Sequence, residues 1–136
     1  MDTDALRKQL EVQASSPTLD QEVLGALVAQ VAGNPAGVAL LPELFKILET
    51  HPDDDFGMPG PLVHAAEKFM GEGYEEALVD SVQRSPNFYN LWMLNRVING
   101  VSGQERARLL PLMQAVAART DVKPAICKMA TDFLKP

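Results

Sequence analysis

Residues 88–99 read FYNLWMLNRVIN, and this stretch decides the fold class. At 100° per residue, its large apolar side chains share one broad arc. They are Leu91, Met93, Leu94, Val97 and Ile98. The opposite arc holds Phe88, Trp92, Asn95, Arg96 and Asn99. One apolar arc and one mixed arc predict an amphipathic helix whose apolar arc faces a core.

The same periodicity recurs along the rest of the chain. No window of four or more residues shows the strict alternation that is typical of a half-buried strand. Helix breakers separate the periodic segments, most clearly in the Pro-, Gly- and Asp-rich loop at residues 51–60. The pattern predicts an all-α fold of about seven or eight antiparallel helices. Two helices per repeat would give a short HEAT-like α-solenoid, but no repeat is visible in the letters, so an irregular helical bundle is the alternative.

Several residues mark expected helix ends in the second half of the chain. Ser85-Pro86 predicts the start of the sixth helix. Ser102 and Glu105 have the spacing of a capping box for the seventh, which Pro111 is expected to kink or split. Asp121 is expected to cap the last helix. Because the connections are short, each helix should pack on the next one in sequence.

Length and composition indicate one folded domain over residues 1–136, and apolar content of 46% with 22% charged residues argues against disorder. No apolar run approaches the roughly 18 residues of a membrane span, and no basic leader opens the sequence. The single cysteine, Cys127, forms no internal disulfide and is expected to be a buried small hydrophobe. These features predict a cytoplasmic protein with no membrane association.

Charge is distributed unevenly along the chain. The net charge of −6 makes nucleic acid a poor partner, because phosphate binding needs clustered Lys and Arg. Residues 43–80 carry ten acidic against two basic residues, whereas residues 81–136 carry three against eight. The acidic stretch predicts electrostatic steering of a basic macromolecule. The alternative is plain solvation of exposed helix faces.

No combination of residues predicts catalysis or a cofactor. Two histidines, His51 and His64, and one cysteine effectively exclude a zinc site built from Cys and His. His64 and Glu67 stand at i and i+3 on the expected polar face of the fourth helix. We interpret this pair as a solvated or partner-contacting pair. A helical enzyme that uses Glu67, Glu72 and the loop aspartates is the third-ranked hypothesis, because no acid–base pair converges.

The three consecutive aspartates Asp53, Asp54 and Asp55 precede the fourth helix. They do not form a calcium loop, because the following residues break the alternating ligand pattern and no glutamate stands at the twelfth position. They can interact favourably with the helix dipole. Display to a cationic partner is the other interpretation, and the two remain open.

The outer arc of residues 88–99 combines Trp92 and Arg96 with Asn95 and Asn99, beside Phe88. Aromatic and guanidinium groups offer large contact areas with directional polar atoms, which is typical of interaction hot spots. The sequence therefore predicts a partner-binding surface on this helix. The alternative is that Trp92 packs beneath an adjoining helix.

Residues 54–64, 74–81, 84–86 and 92–96 together resemble small immunity proteins of bacterial polymorphic-toxin and contact-dependent-inhibition systems. The residues that carry the resemblance are Asp54, Gly57, Pro59, Gly60, Pro61, His64, Trp92, Asn95 and Arg96. The resemblance spans roughly residues 53–99, and the flanks match only in being helical. It implies a cytoplasmic helical protein that binds and neutralises the toxin domain encoded beside it, often a nuclease, without catalysis or a cofactor.

The acidic stretch agrees with this resemblance, since toxins that act on nucleic acid are usually basic. The expected partner is thus the basic C-terminal domain of a cognate toxin. A HEAT-like scaffold or adaptor with an unrelated protein partner is the alternative.

Overall fold

The computed structural model describes all of residues 1–136, and its regular elements are all helical. The α-helices are α1 (Thr3–Ser15), α2 (Gln21–Ala32), α3 (Leu41–Thr50), α4 (Gly60–Glu67), α5 (Tyr74–Arg84), α6 (Phe88–Gly100), α7 (Gly103–Ala117) and α8 (Pro124–Leu134). A short 3₁₀ helix, Gly37–Leu40, precedes α3. The all-α prediction is confirmed with eight α-helices, while the solenoid arrangement stays a prediction. No helix is both long and apolar enough to cross a membrane.

The chain divides into two compact units, Met1–Ala77 and Leu78–Pro136, and the boundary falls inside α5. The prediction of one domain over residues 1–136 stays a prediction.

Asp20 caps α2 through its side chain, which accepts hydrogen bonds from the backbone N–H groups of Glu22 and Val23 at 3.1 Å. This cap thus explains why α2 begins at Gln21.

The first unit buries continuous apolar stripes from several helices. Its fully buried side chains include Leu6, Leu10, Leu41, Leu44, Ile47 and Leu48. The Phe45 ring lies 6.3 Å from the Tyr74 ring, centroid to centroid. Within this unit α1 packs mainly on α3, and α2 packs mainly on α4. The main packing partners are thus two helices apart in sequence, so the expectation that each helix packs chiefly on the next is wrong here.

His51 joins the end of α3 to the segment that follows α1. It is 6% exposed, and its Nε2 lies 2.7 Å from the carbonyl oxygen of Ser16. Its Nδ1 lies 3.0 Å from Thr50 Oγ1. Both ring nitrogens therefore lie within hydrogen-bond distance of groups in the protein. His51 therefore has a structural explanation and needs no chemical one.

Asparagines set the start of α6 in the second unit. Asn87 donates its backbone N–H to Asn90 Oδ1 at 2.8 Å, and Asn90 donates its backbone N–H to Asn87 Oδ1 at 3.0 Å. The buried Asn90 side chain also donates to Ser81 Oγ at 3.0 Å. This reciprocal capping box places the helix start at Phe88, so the earlier start predicted from Ser85-Pro86 is wrong.

Ser102 is the N-cap of α7 as predicted, but the capping contacts of α7 and the start of α8 differ from expectation, because nearby cations pair with the expected capping carboxylates. Ser102 makes no side-chain cap hydrogen bond, and Glu105 pairs with Arg108 instead. Asp121 pairs with Arg119 at 2.7 Å, and α8 begins at Pro124, three residues later. Each carboxylate pairs with a nearby guanidinium, which is a stronger hydrogen-bond donor than a backbone N–H.

Two further details of α7 and α8 depart from the sequence interpretation. The helix α7 runs through Pro111 without splitting, which leaves a kink as the surviving alternative. Cys127 is half-buried, not buried, and its Sγ lies 3.2 Å from the carbonyl oxygen of Arg119. In α8 only Ala130 is buried. The last helix therefore covers its apolar stripe incompletely.

Candidate functional site

The two arcs of α6 face as the sequence predicts. Leu91, Met93 and Leu94 are fully buried, and Val97 and Ile98 are nearly so. On the outer arc Phe88 is 38% exposed, Arg96 and Asn99 are exposed, and Trp92 and Asn95 are half-buried. We call these five outer residues the α6 outer face. Its orientation is confirmed, whereas its role in binding a partner stays a prediction.

Trp92 and Arg96 form a stacked pair at the centre of the α6 outer face. The guanidinium carbon of Arg96 lies 4.8 Å from the centroid of the Trp92 ring. The two residues are one helical turn apart, so the helix itself brings them together. A cation–π contact at an exposed site contributes about 0.5–1 kcal/mol. The pair holds two flexible side chains in place, which lowers the entropy cost when a partner orders them.

Phe88 extends the α6 outer face toward the start of the helix. Its ring meets the Tyr89 ring edge to face, with centroids 5.1 Å apart and planes at 87°. Tyr89 itself is buried, so it supports an aromatic side chain that remains exposed. The partial burial of Trp92 satisfies both interpretations of that residue. Part of its ring is covered by protein, and part contributes to the surface beside Arg96.

The three aspartates lie in the loop before α4, in the first unit. Asp53 and Asp55 are exposed and Asp54 is half-buried. Asp55 Oδ1 accepts a hydrogen bond from the Gly57 backbone N–H at 2.8 Å, which shapes a turn at a glycine with φ of 95°. Pro59 occupies the N-cap position of α4 without a side-chain hydrogen bond. None of the aspartates caps this helix through a side-chain hydrogen bond, and both interpretations, interaction with the helix dipole and display to a partner, stay predictions.

His64 and Glu67 lie together on α4 but differ in exposure. His64 Nδ1 is 3.7 Å from Glu67 Oε1, and the side chains are 64% and 9% exposed, respectively. The expectation that Glu67 points away from the core is therefore wrong. The assignment of Glu67 to the polar face assumed regular helical spacing. Since α4 ends at Glu67, that spacing no longer applies there. His64 remains the accessible member of the pair.

The two units carry net charges of opposite sign. Residues 1–77 carry fourteen acidic and four basic residues, whereas residues 78–136 carry four acidic and eight basic residues. The aspartates, His64 and Glu67 belong to the acidic unit, and the α6 outer face belongs to the basic one. Each unit thus presents a surface of its own sign.

The sequence interpretation missed two clefts in the second unit. One, of about 550 Å³, lies between α5 and α7 and is lined mainly by apolar residues such as Val79, Leu112 and Val116. The other, of about 520 Å³, lies between α6, α7 and α8, and Asn95 and Asn99 line it. No signal in the sequence indicates these clefts, since the walls of each come from different helices.

Perturbed carboxylates in the second unit are explained by exposed ion pairs. Hydrogen bonds from Arg119 lower the pKa of Asp121 to about 2. Those from Lys128 and Lys135 lower the pKa of Asp132, and one from Arg108 lowers the pKa of Glu105. Carboxylates held in their charged form by surface cations act as structural groups. No group of three or more His, Cys, Asp or Glu side chains is arranged to hold a metal ion.

Comparison with known proteins adds no family assignment. No protein-family model, curated protein or solved structure matches the chain. The resemblance of residues 53–99 to immunity proteins therefore rests on those residues alone. Function has to be inferred from the surfaces, since a fold class by itself carries no function.

Proposed function

We propose that this protein is a cytoplasmic immunity protein that binds a cognate toxin domain and neutralises it by protein–protein contact. The observation that carries the proposal is the α6 outer face. It presents Trp92 stacked with Arg96, flanked by the exposed ring of Phe88. Aromatic residues and arginine dominate the binding energy of protein interfaces.

The chemistry of the surface favours binding over catalysis. Its polar members are the amides Asn95 and Asn99 and a guanidinium, which give directional hydrogen bonds but neither attack a substrate nor exchange protons near neutral pH. The acidic residues gathered at Asp53–Asp55 lie in the first unit, in a loop that faces solvent. Catalysis is not part of the proposal, and neither are a cofactor or nucleic acid.

The acidic first unit supports a basic toxin domain as the partner. Its ten surplus negative charges extend the region of negative potential beyond the aspartate loop. Such a field raises the association rate of a cationic protein, most strongly at low salt. A nuclease domain, which must itself attract nucleic acid, has the required positive surface.

An adaptor that binds an unrelated protein is the second candidate, because the α6 outer face suits any partner with a matching pocket. The test is co-expression with the toxin C-terminal domain encoded beside the gene for this chain. We expect restored growth and co-purification of the two chains. Growth arrest with no co-purification would remove the immunity proposal and leave the adaptor.

Variants of the α6 outer face sharpen that test. Trp92→Ala should abolish or strongly weaken protection, whereas Trp92→Phe should keep much of it because the aromatic contact survives. Val12→Ala removes an exposed apolar side chain from α1 and should change nothing. Full protection by Trp92→Ala would separate the function from this surface.

A further inference from the structure

The cleft between α6, α7 and α8 combines a buried apolar part with an exposed polar part. We call it the α6–α8 cleft. Its apolar lining is Ile98, Leu110, Met113, Phe133, Leu134 and Pro136, of which Ile98 and Met113 are buried, Pro136 is exposed and the others are half-buried. Its polar lining is Asn95, Asn99, Arg106, Gln114 and Lys135, all exposed except the half-buried Asn95. No acidic residue lines it.

Arg106 is held in place at this cleft without a carboxylate partner. Its Nη1 donates to the carbonyl oxygen of Ile98 at 3.1 Å, near the C-terminal end of α6. That bond is its only polar contact within the protein. The carbonyls at the end of a helix attract a cation, so they position the guanidinium. Apart from this hydrogen bond, Arg106 is exposed to solvent.

Four other cations of the second unit pair with carboxylates. Arg108 pairs with Glu105, Arg119 with Asp121, and both Lys128 and Lys135 with Asp132. Arg106 therefore differs from these residues by holding a fixed but unneutralised charge. A guanidinium in that state offers the fork of donors that matches a carboxylate.

The remaining lining restricts the chemistry of the occupant. The amides of Asn95, Asn99 and Gln114 both donate and accept hydrogen bonds, as a peptide backbone requires. The apolar side chains offer a contact for an apolar side chain, which a free phosphate or a nucleic-acid backbone lacks. A volume of about 520 Å³ has room for a few side chains.

We infer that the α6–α8 cleft binds a short peptide segment of a partner protein in which an acidic side chain neighbours an apolar one. The carboxylate contacts Arg106, the apolar side chain contacts the half-buried Leu110 and Phe133, and the amides of Asn95 and Asn99 bind the peptide backbone. This inference goes beyond the immunity proposal, because it holds for any partner that carries such a segment. It adds an acidic contact to a protein whose other unit favours basic surfaces.

A pair of synthetic peptides tests the inference with the full chain and without any toxin. The first is the capped peptide Ser-Glu-Leu-Glu-Phe-Ser, and the second replaces both glutamates with glutamine. Titration is followed by NMR through the side-chain amide signals of Asn95 and Asn99. We expect the acidic peptide to shift these signals and to bind about tenfold more tightly than its neutral counterpart, as a charge-assisted hydrogen bond predicts.

Matched variants assign the effect to Arg106. Arg106→Gln should weaken binding of the acidic peptide by about tenfold. Arg108→Gln removes the same charge from the same helix outside the cleft, and it should leave the affinity unchanged. Circular dichroism checks the fold of each variant. If Arg106→Gln does not fold, Asn99→Ala takes its place, with a loss of about threefold expected for a neutral hydrogen bond.

Several results would overturn the inference. They are absence of binding by the acidic peptide, equal affinity for both peptides, and equal losses in Arg106→Gln and Arg108→Gln. Tighter binding of an oligothymidylate than of the acidic peptide would also overturn it, because it would assign the cleft to phosphates. Since no toxin enters the experiment, its failure would leave the immunity proposal standing.

Discussion

The two units build helical cores of different completeness from similar apolar patterns. In the first, α3 buries Leu41, Leu44, Phe45, Ile47 and Leu48. In the second, α8 buries only Ala130, while Ile126, Met129 and Phe133 are half-buried. Periodicity alone thus fails to separate a helix enclosed in a core from one that leaves cleft walls. The difference arises from how many neighbours cover the stripe.

Packing order and charge follow the same division. Helices two apart in sequence pack together in the first unit, whereas α7 packs mainly on its successor α8 in the second. The first unit is strongly acidic and the second is basic. The α6 outer face and the α6–α8 cleft both belong to the second unit. We therefore expect the first unit to supply stability and steering, and the second to supply contacts with a partner.

The largest expected effect tests the core of the second unit. Leu94→Asp puts a carboxylate at a fully buried position of α6, and the lack of a partner there should unfold the unit. Asn95→Asp adds the same charge one residue later on the α6 outer face and should leave the fold intact. Circular dichroism and thermal melting compare the two. A folded Leu94→Asp protein would reverse the assignment of the two arcs.

The next effect compares α3 with α8 directly. Leu44→Ala removes a fully buried side chain and should cost about 2–5 kcal/mol in the free energy of unfolding. Ile126→Ala removes a half-buried one, so we expect a cost of about 1 kcal/mol or less. Chemical denaturation measures both changes, and hydrogen exchange should show faster opening of α8 than of α3. Equal costs would show that α8 is as well packed as α3.

Sequence reasoning succeeded where a single helix contains the whole signal. The arcs of α6 follow from its own residues, and Asp20 caps α2 because its carboxylate lies only a few atoms along the chain from the N–H groups that donate to it. It failed where two local options compete. Asp121 has the chemistry of a cap and of an ion-pair partner, and Arg119 decides between them because its guanidinium is also fixed by the Gln83 carbonyl oxygen.

The candidate surfaces divide in the same way. The α6 outer face is local, so helical periodicity finds Trp92 and Arg96 together. The α6–α8 cleft depends on the position of Arg106 beside Ile98 and on the approach of α8. No local pattern encodes that arrangement. Likewise the packing of α1 on α3 depends on relative stability among several possible helix pairs, which the sequence pattern leaves undetermined.

The smallest effect concerns the exposed ion pair before α8. Arg119 lowers the pKa of Asp121 to about 2, so this carboxylate stabilises the folded state above its ordinary pKa and loses that contribution as the pH falls from about 4 through about 2. Carbon NMR of the carboxyl group should give a midpoint near 2, and near 4 in Arg119→Gln. The same midpoint in both proteins would contradict the assigned pair.

Binding kinetics with the toxin domain test the proposed division of roles most directly. Replacing Asp53, Asp54 and Asp55 with asparagine should slow association and weaken its salt dependence, because the steering field is reduced. Trp92→Ala should instead raise the dissociation rate and barely alter association, because a buried aromatic anchor holds the formed complex together. Association and dissociation rates, measured at two ionic strengths with the toxin domain immobilised on a sensor surface, separate the two effects. Unchanged association and dissociation rates in both variants would contradict the account and would place the toxin-binding face elsewhere.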